Sequence, residues 1–171
     1  MVGSNQHRQE KTVPIELHHD HVAIRAVDYA GTIAWYQDKL DFTIDREWPF
    51  GDMQLAYLSN GTAKIEILGG SAAEPHAPVD TLEDSFGVEE YHHFCLNVAD
   101  VDATLVELRA RDVEVLGDAT DLDAIGRRLG FLKDNNGNII ELAAPLRANE
   151  RARPRGSIGK VAHVAHSGSR G

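Results

Sequence analysis

Two stretches of this chain repeat one another. Residues 21–28 read HVAIRAVD and residues 93–100 read HFCLNVAD. Each is a histidine, an apolar-rich run and an aspartate seven positions on. Thr32-Ile33 and Thr104-Leu105 follow four residues beyond the aspartates, so the offset stays at 72. Self-similarity at that period confines a chain of 171 residues to two small units sharing a core, and excludes several large domains.

Each unit reads as βαβββ. An extended stretch (21–27; 93–99) runs to Asp28 or Asp100, whose side-chain oxygens suit helix N-caps. Ile33, Tyr36 and Leu40 then make one apolar stripe at helical spacing, and Val101, Leu105 and Leu108 the other. Three extended segments follow in each unit, at 42–47, 53–59 and 63–68, then at 113–116, 128–133 and 139–144. Asn60-Gly61 and Asn136-Gly137 precede the last strand of each, where a tight hairpin is expected. The organisation expected is a polar flexible leader over 1–16, one module at 17–68, a linker at 69–92, a second module at 93–146, and a basic flexible tail at 147–171. A linker of that length suggests a lid or a crossover.

Charge and composition remove several classes of function. The net charge is −10, yet residues 147–171 hold six basic side chains and one acid, so the remainder is more acidic still. Such a body repels phosphate backbones, which argues against nucleic acid as a partner. No apolar run approaches the roughly 18 residues of a membrane span. The single cysteine, Cys95, excludes an internal disulfide and a zinc site built on several cysteines, and suits a reducing cytoplasm. It reads as a small, buried, apolar residue.

Four side chains with chemistry fall at corresponding places. His21 and His93 open the first strand of each unit; Glu66, in KIEIL, and Glu141, in IIEL, lie in the last. A glutamate among Ile and Leu needs a partner, because a lone buried carboxylate is costly. Two imidazoles and two carboxylates form a mixed N/O ligand set for one divalent metal: zinc, nickel, cobalt, manganese or iron. In the doublet His92-His93, adjacent side chains point to opposite faces, and equivalence with His21 selects His93. Strand alternation puts Arg25 beside His21, Lys64 beside Glu66, and Asn97 beside His93. These three are candidate substrate contacts.

The segments HVAIRAVD, WYQDKLDF, HHFCLNVADVDA and FLKDNNGNIIEL resemble the vicinal oxygen chelate superfamily, which includes glyoxalase I and bleomycin-resistance and dioxygenase members. The resemblance spans residues 21–143. It implies an α+β fold in which two βαβββ modules form a curled, cup-like mixed sheet around a metal. It also implies ligands at His21, Glu66, His93 and Glu141. The full His-Glu-His-Glu set looks most like glyoxalase I, and Arg25 matches a glyoxalase arginine that contacts glutathione. Gly70 and Asp41 depart from that pattern, standing where glyoxalase I usually has asparagine and where the family commonly has glycine.

The expectation is therefore a metal-dependent lyase or isomerase. It would act on a small α-carbonyl substrate by proton transfer through a metal-stabilised enediolate, with Glu141 or Glu66 as the base and a homodimer as the assembly. The alternatives, in order, are a methylmalonyl-CoA-type epimerase, a ring-cleaving Fe(II) dioxygenase, and a non-catalytic protein that binds a small molecule such as an antibiotic.

Overall fold

A computed structural model of the protein describes residues 15–70, 74, 79–87 and 89–146. The expected tail at 147–171, and all but the last two residues of the leader, lie outside them. The chain is α+β, and each half is a four-stranded mixed sheet with a helix against one face. The first half holds β1 (Val22–Arg25), α1 (Tyr29–Leu40), β2 (Thr43–Phe50), β3 (Met53–Asn60) and β4 (Ala63–Gly69). A short helix, α2 (Leu82–Ser85), precedes the second half. That half holds β5 (His93–Asn97), α3 (Val101–Ala110), β6 (Thr120–Leu122), β7 (Arg127–Lys133) and β8 (Ile139–Pro145). The sheet orders are β1-β4-β3-β2 and β5-β8-β7-β6, with β1/β4 and β5/β8 parallel and the other pairs antiparallel.

The helices begin where the caps direct. The Asp28 carboxylate accepts from the Gly31 amide at 2.9 Å, and that of Asp100 from the Ala103 amide at 3.0 Å. Each cap satisfies one of the amides that a helix start leaves without a partner. Asp41 ends α1 in the left-handed region at φ 55°, a conformation that costs a side chain energy and explains the family's glycine there.

Alternation along the strands divides each sheet into two faces. Ile24, Ile65, Ile67, Ala56 and Leu58 turn toward α1, and Phe94, Leu132, Ile140, Leu142 and Ala144 toward α3, all within one shared core. Polar ties cross between the halves as well. The buried Tyr36 hydroxyl donates to Asp134 at 2.9 Å, and Thr32 meets Asn135 and Asn136. Asp134 also accepts from the Asn136 and Asn138 amides and from the Asn138 side chain, fixing the turn that leads into β8.

Two of the expected strands, those at 42–47 and 113–116, differ most from the structure. β2 runs on to Phe50, through Pro49, which the edge position of β2 tolerates because no outer neighbour needs its amide. A bulge between Ile44 and Arg46 interrupts its pairing with β3. Residues 113–116 form only an isolated bridge, Val115 to Leu132, instead of a strand. Gly117, at φ 97°, takes a conformation outside the strand region, and pairing resumes at Thr120–Leu122 as β6.

Candidate metal centre

The registers place the chemistry-bearing residues on the faces opposite the helices. Glu66 is paired with Ala23 on β1 and with Tyr57 on β3, while Glu141 is paired with Cys95 on β5 and with Phe131 on β7. His21 stands just before β1, its Nε2 3.3 Å from Glu66 Oε2. His93 opens β5, its Nε2 3.4 Å from Glu141 Oε2. The carboxylates are matched, with 14% and 15% of the side chain accessible, so both have lost most of their hydration. An aromatic ring completes each pair: Tyr57 lies 5.2 Å from the His21 ring and Phe131 6.0 Å from that of His93. Sequence reasoning missed both rings. Their signal lay in strand register, each being directly across from a glutamate.

The second nitrogen of each histidine decides what the first can do. His21 Nδ1 lies 2.7 Å from Asp20 Oδ2, and a carboxylate accepts hydrogen bonds only. The proton therefore belongs on Nδ1, and Nε2 presents a lone pair toward Glu66. His93 Nδ1 lies 2.7 Å from His92 Nδ1. A lone pair facing a carboxylate oxygen is two acceptors in opposition, which a cation between them reconciles. A proton or a divalent metal serves, and the N/O donor chemistry fits the latter.

Assembly of all four ligands is a separate matter. His21 and His93 line one cavity of about 980 Å³, together with Arg25, His92 and residues 135–139. Among the described residues, however, no group of three or more His, Cys, Asp or Glu side chains is disposed to hold one metal ion. The described chain thus brings the four expected ligands together as two His–Glu pairs.

The three candidate substrate contacts are all engaged within the protein. Arg25 donates to the Leu68 carbonyl at 2.7 Å and to that of Gly70. Lys64 binds Asp20 at 3.0 Å and lies over the Tyr57 ring. Bonds from His21 and then Lys64 lower the Asp20 carboxyl below its ordinary value, and the bond to Asp20 raises the Lys64 ammonium. Asn97 accepts from Arg127. Cys95 proves exposed rather than buried. Its thiol shares a face with Glu141, where lost hydration first and the bond to the carboxylate second push it up to about 12.

Gly70 has a structural cause. It sits at φ 82°, and a β-carbon there would come within 2.7 Å of the Asp52 carbonyl oxygen. The asparagine of glyoxalase I cannot stand at this position without moving the β2–β3 turn.

Paired βαβββ modules, each carrying a histidine and a glutamate on its open face, define a class of cup-forming α+β proteins. Residues 18–142 match the Glyoxalase/Bleomycin resistance protein/Dioxygenase superfamily, and the chain belongs to it. Among curated proteins, mitochondrial methylmalonyl-CoA epimerase of Mus musculus is 24% identical over 127 residues, covering 72% of this chain and 70% of its own. The Homo sapiens epimerase is also 24% identical, with 72% and 71% covered. Among solved structures, a glyoxalase family protein from Enterococcus faecalis aligns with a TM-score of 0.62 at 22% identity, covering 74% of this chain and 97% of its own. The trypanothione-dependent glyoxalase I of Leishmania major aligns at 0.56 and 22%, with 74% and 86% covered. At such identities the structural likeness establishes the fold alone. No helix among the described residues is long and apolar enough to cross a membrane.

Proposed function

We propose that this protein is a divalent-metal-dependent isomerase or lyase that moves a proton at the carbon beside a carbonyl. The observation that carries the reading is the doubled approach of a histidine Nε2 to a carboxylate oxygen, at 3.3 and 3.4 Å, at equivalent places in two repeated modules. His21 and His93 line one cavity, whose walls include neither Glu66 nor Glu141. His21, Glu66, His93 and Glu141 would hold the metal, which when bound supplies Lewis-acid stabilisation of charge developing on a substrate oxygen.

The protein's own part is proton transfer and exclusion of water. Glu141 acts as the base, taking the proton from the α-carbon and returning it; Glu66 holds the corresponding place in the other half. Tyr57 and Phe131 wall the two pairs with apolar surface, which strengthens every electrostatic interaction near them.

Two substrate classes compete. An α-branched acyl thioester, epimerised as by the methylmalonyl-CoA epimerases, is favoured by those relatives and by Gly70, which excludes the asparagine of glyoxalase I. The hemithioacetal of a glyoxalase is favoured by Glu66, since the epimerases usually have glutamine there. Protein purified without added metal should carry stoichiometric divalent metal on elemental analysis, and lose it in His21→Ala and His93→Ala. Absence of metal from the wild-type protein overturns the reading. In heavy water, exchange of the α-proton of methylmalonyl-CoA without change of composition identifies the epimerase. Conversion of a glutathione hemithioacetal to a hydroxyacyl thioester identifies the lyase.

A further inference from the structure

We propose that Ser85 and His92 form a positioning relay that fixes which nitrogen of His93 is free to bind a metal. The proposal rests on the reading of His93 as a ligand. Its evidence is a chain of three hydrogen bonds whose direction is set by counting hydrogens. Ser85 Oγ lies 2.6 Å from the Leu82 carbonyl oxygen and 2.8 Å from His92 Nε2. A hydroxyl has one hydrogen and a carbonyl can only accept, so that hydrogen goes to Leu82. Ser85 must then accept from His92, which places the His92 proton on Nε2 and a lone pair on Nδ1. His93 Nδ1, 2.7 Å away, supplies the donor that this lone pair needs. His93 is left with a lone pair on Nε2, the nitrogen that faces Glu141.

The surroundings hold the relay in place. Ser85 is 1% exposed, so bulk water is not on hand to replace its partners. It ends α2, which a reciprocal cap fixes: Thr81 Oγ1 accepts from the Asp84 amide at 3.1 Å, and Asp84 accepts from the Thr81 amide at 3.2 Å. Phe86 stacks on the His92 ring, centroids 5.0 Å apart and planes within 4°. The described part of the segment between the two modules therefore reaches His93 through His92. Ser85 and His92 act through His93 and are positioning residues.

The direct test reads the tautomers in the metal-free, 15N-labelled full chain at about pH 8. Long-range proton–nitrogen correlation spectra should show His92 protonated on Nε2 and His93 on Nδ1. A proton on Nε2 of His93, or on Nδ1 of His92, overturns the relay whatever the variants do. Ser85→Ala and His92→Phe, the latter keeping a ring to stack on Phe86, should each weaken zinc binding about tenfold in a competition titration. Unchanged zinc affinity together with unchanged His93 tautomers in Ser85→Ala also overturns it. The two proposals fail separately. Expected tautomers without zinc binding by the wild-type chain refute the metal reading and uphold the hydrogen-bond order. Zinc binding with the opposite tautomers does the reverse.

Discussion

In the first half the histidine ring is steadied from the solvent side, by an Asp20 carboxylate that is itself 66% accessible and shared with Lys64. In the second half it is steadied from the protein side, by His92 and the buried Ser85. Both arrangements leave Nε2 as the acceptor facing a glutamate, so the repeat keeps the chemistry and varies the support. The lesson concerns duplicated folds generally: ladder register forces the two His–Glu pairs to correspond, while partners on neighbouring loops are free to diverge.

The comparison can be broken first at the glutamates. Glu141→Gln should keep much of the metal and lose turnover by about 10²- to 10⁴-fold, the usual worth of a positioned base. Glu66→Gln should lose less. Steady-state assays beside elemental analysis test this, and equal losses would mean that the halves share the proton work. Next in size is the tie between modules. Tyr36→Phe strips Asp134 of one buried partner and should cost about 1–3 kcal/mol, read as a lower urea midpoint at unchanged slope. Position 108, its counterpart in α3, is a leucine with no such bond.

The same tyrosine makes a pH prediction. Burial, and then Asp134, raise the Tyr36 hydroxyl well above its ordinary value of 10.0. The native state therefore keeps its proton after the unfolded chain has begun to lose it. Stability from this group is complete below about pH 10 and falls as the pH climbs beyond that. Urea midpoints between pH 9 and 11 should show the decline in the wild type and a flatter profile in Tyr36→Phe. The smallest effect is expected at Asp20. Asp20→Asn removes an exposed, salt-screened acceptor, so zinc affinity should drop only a few-fold and by less at high ionic strength. A loss as large as that of Ser85→Ala would erase the contrast between the two supports.

Much of this architecture was legible in the sequence because it repeats. A doubled histidine-to-aspartate spacing gave both modules, and Asp28 and Asp100 announced the caps found at α1 and α3. The repeat also placed His21, Glu66, His93 and Glu141 at corresponding points as one expected set, and the described residues bring them together as two His–Glu pairs. What stayed hidden depended on partners distant in the chain. Tyr57 and Phe131 read as ordinary strand aromatics until the ladder set them across from glutamates. Arg25, Lys64 and Asn97 share the expected faces, yet alternation could not reveal that a carbonyl, Asp20 and Arg127 engage them. The strand expected at 113–116 shrinks to a bridge at Val115 with two backbone bonds to β7, and regular pairing resumes only at Thr120–Leu122.

The bulge in β2 carries one more consequence. With Asp45 counted out of the ladder, Arg46 stands across from Tyr57, and Arg46, Trp48 and Phe50 share the open face. Glu47 turns to the helix side, where its carboxylate meets the Tyr29 hydroxyl at 2.9 Å. In an unbulged strand the parity would reverse, and Asp45 and Glu47 would line the open face instead. One inserted residue thus selects the sign of the charge on that wall. Taking Asp45 into the ladder would put carboxylates where the Arg46 guanidinium now stands, whereas deleting Asp45 would remove the bulge and leave Arg46 across from Tyr57.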